Sequence, residues 1–180
     1  RSNALTHANG HFGHRNEISP SDGDPNDRFG TSIGLTGSLS NNAVVGLSLI
    51  VGSLRSDSGE VDSGAAYVFQ PLTSVLSNGA LTIDSWTEEQ KLVPSDPIPL
   101  GIFGDAVDID GDTAVIGASY DDDLGTRSGS VYVFSRPGTS ILGAPAWSQD
   151  TKLQRILTTG QTGALDEFGA AVAIAGSTVV

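Results

Sequence analysis

The apolar residues of this chain fall in short alternating runs broken by glycine-rich turns. In "AVDIDGDTAVIGASYDDDLGTRSGSVYVF", residues 106–134, alternation of period two predicts strands over 106–110, 113–118 and 130–134. Gly111-Asp112 predicts a two-residue hairpin turn, because Gly and Asp tolerate positive φ. Residues 147–154, "WSQDTKLQ", predict a fourth and more polar strand. In the third strand Val131 and Val133 alternate with Tyr132 and Phe134, so both of its faces are apolar. A strand with two apolar faces belongs inside stacked sheets. Helix formers never cluster into an amphipathic run of three turns, and the expected class is all-β.

The same pattern occurs twice. "GSLRSDSGEVDSGAAYVF" (52–69) lies over "GASYDDDLGTRSGSVYVF" (117–134) at an offset of 65 residues. "WTEEQKL" from Trp86 matches "WSQDTKL" from Trp147, and "PSDGDPNDRFG" ending at Gly30 matches "PSDPIPLGIFG" ending at Gly104. A third Phe-Gly pair stands at Phe168-Gly169. Shifted by 74, Phe12 falls on Trp86 and Glu17-Ile18 on Lys91-Leu92. The expected organisation is an N-terminal tail (1–11), the outer strand of a preceding unit with its linker (12–28), a first full unit (29–94), a second (95–155) and the start of a third (156–180). The extra nine residues of the first unit lie between Phe29 and Gly52. Their register stays open, since "AVVG" at 43–46 matches "AVIG" at 114–117 as well as Gly52 matches Gly117.

Four strands per unit, the last the most polar, describe a β-propeller blade: apolar middle strands pack between neighbours and outer strands meet water. The chain supplies about two and a half such antiparallel blades. Three FG pairs, two SG-x-x-Y-V-F blocks and two W-x4-K-L blocks over roughly residues 12–180 resemble the FG-GAP repeat, the blade unit of the integrin α-chain propeller, in the form found in microbial surface and secreted proteins. Gly117-Ala118-Ser119 stands where that family has its "GAP". The resemblance implies a closed ring, of which this chain is expected to be part.

Charge narrows the partners. The formal net charge of −12 disfavours nucleic acid and anionic lipid and favours cations or basic partners. The absence of cysteine excludes disulfides, thiolate metal sites and cysteine catalysis. The longest nearly apolar run, 43–54, is too short for a transmembrane segment.

Two acidic loops are the metal candidates. Asp121, Asp122 and Asp123 precede the third strand of one unit, and Asp57, Glu60 and Asp62 stand in the matching loop of the other. Curled around an ion, such loops offer carboxylates and carbonyls to Ca2+, which takes about six to eight oxygens. Left uncurled, they are turns whose carboxylates accept backbone N–H bonds. Integrin-type blades also hold calcium in the first hairpin, through D-x-D-x-D-G-x-x-D. Here Asp108, Asp110 and Asp112 fit that pattern, but Thr113 and Ile116 replace its Gly and last Asp.

Elsewhere the chemistry is sparse. His7, His11 and His14 are confined to one terminus, so no Ser/His/Asp order is supported, and the chain is expected not to be an enzyme. Trp86 and Trp147 recur at one blade position, which favours packing over sugar stacking. Residues 38–50 are the foremost candidate for a recognition loop, with a lengthened strand pair as the alternative. The expected role is an extracellular or cell-surface module for adhesion or assembly. Its expected partners are a protein or glycan ligand, or neighbouring subunits. The alternatives are a propeller accessory to a secreted enzyme and a subunit of a surface filament.

Overall fold

The structure, a computed structural model, describes residues 7–8, 11–12, 17–40, 43–75, 81–137 and 147–180. Among these residues every regular element is a strand. β1 (His7–Ala8) and β2 (His11–Phe12) form a short pair. The first large sheet runs in chain order through β3 (Phe29–Ser40), β4 (Ala43–Ser53), β5 (Ala65–Val75) and β6 (Leu81–Leu92). The second repeats that order with β7 (Val107–Asp110), β8 (Thr113–Ala118), β9 (Ser130–Ser135) and β10 (Ser148–Leu153). β11 (Ile174–Ala175) and β12 (Thr178–Val179) begin a third. All pairings are antiparallel, and these sheets are propeller blades.

Period-two alternation divides each blade between two neighbours. Ile50, Ala66, Val68 and Leu92 of the first blade meet Phe103, Val107, Ile109, Tyr132, Phe134 and Trp147 of the second in one buried layer. The intervening residues of the first blade, Leu49, Val51, Tyr67 and Phe69, make a layer on its opposite face with Ile18, Phe29 and Trp86. Val115 and Val131 do the same against Ile174, Val172 and Val179. Each fully buried aromatic or aliphatic side chain contributes about 1.5–3 kcal/mol, so these layers dominate the stability.

The Phe-Gly pairs join blade to blade. Phe103 sits edge-on to Tyr132 and Phe134 of its own blade, at centroid distances of 5.3 and 6.0 Å, as Phe29 does to Tyr67 and Phe69 at 5.7 and 6.0 Å. Its backbone meanwhile bridges in parallel to Gly64 of the preceding blade, and Phe168 bridges to Gly129 in the same way. The Phe103 N–H donates to the Ser63 carbonyl (2.8 Å) and the Phe168 N–H to that of Ser128 (3.0 Å). A Cβ on Gly64 would lie 2.0 Å from the Phe103 oxygen, so only glycine admits the approach.

This contact settles the open register. A Cβ on Gly52 would meet the Gly104 oxygen at 2.0 Å, and one on Gly117 the Gly169 oxygen at 2.0 Å, so Gly52 rather than Gly46 is the counterpart of Gly117. The extra residues lengthen the β3–β4 hairpin. Residues 38–50 accordingly belong to a paired hairpin rather than a recognition loop, apart from 41–42, which lie outside the described residues. Of the outer strand expected from Phe12, residues 13–16 lie outside the described residues. Residues 17–28 hold turns and irregular segments but no strand, and among the described residues Phe12 pairs with His7. Even so, Ile18 packs on the first blade as Leu92 packs on the second, 74 positions later.

A β-bulge recurs in both outer strands. Glu88 and Gln90 pair with Phe69 and Val68, leaving Glu89 extra; Gln149 and Thr151 pair with Phe134 and Val133, leaving Asp150 extra. Such a bulge re-aims a side chain, and Glu89 takes a bond from Arg136 of the next blade at 2.7 Å. Arg136 also holds Asp112 at 2.6 Å and lies over the Trp147 ring at 5.1 Å. Trp147 is thus buried between the blades, and Trp86 packs, partly buried, on the opposite face of the first.

Candidate functional site

The first candidate site is the acidic loop between β8 and β9. Asp121 is almost fully buried beneath the loop. One carboxylate oxygen lies 2.7 Å from the Lys152 ammonium and accepts the Tyr132 hydroxyl at 3.0 Å; the other accepts the Asp123 N–H at 3.0 Å. Lys152 is also 2.8 Å from Asp96 and 2.6 Å from Asp123. An ammonium has three N–H donors, and three carboxylates meet it. Asp122 turns away and accepts the Arg127 N–H at 2.6 Å. The triplet is therefore split between a buried ion-pair network and an exposed turn.

The electrostatics follow from this geometry. Burial pushes Lys152 down, but Asp121, Asp123 and Asp96 together outweigh it and hold the ammonium well above the ordinary lysine value. The Lys152 bond holds the Asp123 carboxyl below its usual range. Burial, reinforced by the Asp121 charge, pushes the Tyr132 phenol far above the usual tyrosine value.

The first blade builds the same device in reduced form. The Tyr67 hydroxyl donates to Asp22 at 2.9 Å, and Lys91 reaches Asp22 at 2.7 Å and Ser56 at 3.2 Å. Asp22 stands for Asp96 and Lys91 for Lys152, while Ser56 takes the place of Asp121. Asp57 accepts the Asp62 N–H at 2.8 Å, as Asp122 does that of Arg127. Glu60 is exposed, and its carbonyl accepts the Ser63 N–H.

A calcium ion does not fit these residues. The buried carboxylate in the loop already faces a lysine ammonium, Asp123 meets the same ammonium and the Gln154 amide, and Asp122 accepts the loop's own Arg127 N–H. Among the described residues no three His, Cys, Asp or Glu gather as a metal site. The first hairpin is committed in the same way. Asp108 accepts the Ile174 N–H at 2.8 Å and Asp110 the Gly176 N–H at 2.6 Å, so both carboxylates fasten the inner strand of the next blade. Among the histidines, His7 and His11 belong to the β1–β2 pair, and His14 lies outside the described residues.

The second candidate is a groove on the face where the Phe-Gly turns emerge. Among the described residues every non-glycine residue with positive φ sits at a repeated position: Asn26, Leu100 and Leu165; Arg28, Ile102 and Glu167; Asp62 and Arg127. L-residues there are strained by roughly 1–2 kcal/mol each. Arg28, Ile102 and Glu167 line one hollow of about 280 Å³, together with Arg55 and Tyr120. Arg55 and Tyr120 themselves occupy one repeat position. An adjoining hollow of about 260 Å³ shares Arg55, Ile102 and Tyr120 and adds Asp122 and Arg127. The Arg127 guanidinium stacks on Tyr120 with its carbon 4.0 Å from the ring centroid.

Of the groove lining, the sequence singles out Asp62 and Asp122 as metal candidates, but not the three arginines, Ile102, Tyr120 or Glu167. The available signal was variation inside a repeated block: the residue before each Phe-Gly is Arg, Ile and then Glu.

A family model described as an FG-GAP repeat matches residues 12–69 and 86–134. The chain belongs to the FG-GAP repeat family. The pair that gives the FG-GAP repeat its name is the bridge between blades, and the "GAP" position, Gly117-Ala118-Ser119, receives the next FG turn against Gly117. A search among curated proteins finds no match. Among the described residues no helix is long and apolar enough to cross a membrane.

Proposed function

We propose that this chain is part of a non-catalytic, extracellular or cell-surface propeller that holds a protein or glycan ligand on its turn face, in adhesion or assembly. The observation that carries the reading is the row Arg28, Ile102 and Glu167. One strained backbone conformation, repeated three times, presents three chemically different side chains to one hollow. A scaffold that keeps its backbone and varies its tips suits recognition. The location rests on the family, since FG-GAP repeats are typical of extracellular proteins.

The test is an array of immobilised extracellular proteins and glycans probed with the purified chain and with Tyr120→Ala. The expected result is saturable binding that Tyr120→Ala weakens at least tenfold, with the ligand recovered chemically unchanged. Turnover of the bound ligand, or binding indifferent to Tyr120, contradicts the reading.

A further inference from the structure

Seven of the chain's nine lysine and arginine residues lie among the described residues. Lys91, Arg136, Lys152 and Arg155 are in ion pairs. The remaining three are Arg28, Arg55 and Arg127, and all three line the groove. In a chain of net charge −12, unpaired cations would be expected to find carboxylates. Carboxylates are near: each hollow has two arginines and two acidic residues in its wall. Two of these acids have other partners: Asp122 accepts the N–H of Arg127 within its own loop at 2.6 Å, and Asp105 accepts the hydroxyl of Ser119, beyond β8, at 2.7 Å. Asp62 and Glu167, the other two, make no ion pair with these arginines among the described residues, so the three exposed guanidinium forks meet solvent rather than a carboxylate.

We infer that the groove binds a carboxylate side chain in an extended peptide segment, with Arg55 as its anchor. Arg55 belongs to both hollows, and Arg28 and Arg127 each line one of them with it. A guanidinium pairs with a carboxylate through two parallel N–H bonds, and stacking on Tyr120 fixes the plane of the Arg127 fork. The walls between the charges are aliphatic: Leu54, Pro99, Leu100 and Ile102. The segment that matches is one acidic residue flanked by aliphatic ones. A strongly acidic tract is disfavoured, because the whole chain repels it at long range. This inference rests on the turn face being a binding face and adds the chemistry of what it binds.

The experiment titrates a capped peptide with one glutamate between two leucines, and its glutamine counterpart, while arginine side-chain N–H resonances are followed by NMR. The glutamate peptide is expected to shift Arg55 and Arg127 saturably, and the glutamine peptide to bind at least tenfold more weakly. Arg55→Ala and Arg127→Ala should each weaken binding about tenfold or more, while Arg155→Ala leaves it unchanged. Equal affinity for both peptides, or indifference to Arg55→Ala in a variant with unaltered melting, overturns the inference. Arginine shifts with a sulfated oligosaccharide but not with the peptide overturn it too. If the peptide fails while an array ligand still depends on Tyr120, the inference alone falls; if nothing binds this face, the proposed function falls with it.

Discussion

Lys152 shows how one side chain can stand where a metal ion was expected. Its ammonium meets Asp96, Asp121 and Asp123, and Asp121 is shut away from water. Removing one member of a buried pair strands the other charge, at a cost of about 3–5 kcal/mol. Lys152→Met should destabilise by that amount in urea unfolding. Lys91→Met should lose only about 1 kcal/mol, because a serine replaces the buried carboxylate there and Asp22 is half exposed. Equal losses would contradict the asymmetry.

The pH dependence follows from the same residues. Asp22 and Asp123 are depressed by their lysine bonds, so their contribution is whole at neutral pH and above about pH 4. It fades as pH falls through their lowered values. Lys152 and Tyr132 are raised, so their contribution is present below about pH 10 and declines above it. Stability measured against pH should show a plateau between these limbs, with the acid limb reduced in Lys91→Met and Lys152→Met. At this scale the sequence was half legible. Tyr67 and Tyr132, and Lys91 and Lys152, recur in aligned blocks. Their partners Asp22 and Asp96 lie 45 and 36 residues from the tyrosines, and only the fold brings them together.

At the scale of the element, the informative glycines are those another backbone touches. Gly64 and Gly129 have φ of 91° and 77°, and a Cβ would lie 2.0 and 2.1 Å from the oxygens of Phe103 and Phe168. Gly111 has φ of 58° with nothing within 4 Å. Gly111→Ala should therefore lower stability by roughly 1–2 kcal/mol, the left-handed penalty alone. Gly64→Ala and Gly129→Ala should exceed that by about 2 kcal/mol or more, because the next blade must move. Comparable urea midpoints for all three variants would show that the bridge is not tight. The strands were legible because alternation and turn residues agreed, as in 113–118. The length of β3 and β4 was not, because "AVVG" and "GSL" offered two equally good registers and only contact with Gly104 separates them. The outer bulge left no signature, since Glu89 and Asp150 look like ordinary polar strand residues.

At the scale of the whole molecule, the blades are a nearest-neighbour stack, each sharing an apolar layer with the next. The inner strands are also stitched by side chains. Thr36 and Asp110 accept the N–H groups of Gly111 and Gly176 in successive blades, at 3.1 and 2.6 Å. No ion is needed in this scheme. Millimolar calcium should leave the melting temperature where a chelator leaves it, whereas a micromolar site would add about 4 kcal/mol.

The stack itself is tested most directly by NOEs across the two bridges. Contacts are expected from the Gly64 α-protons to the Phe103 amide, and from those of Gly129 to the Phe168 amide, both surviving in dilute solution. A folded chain that shows only one of these contacts, or neither, would contradict the stack.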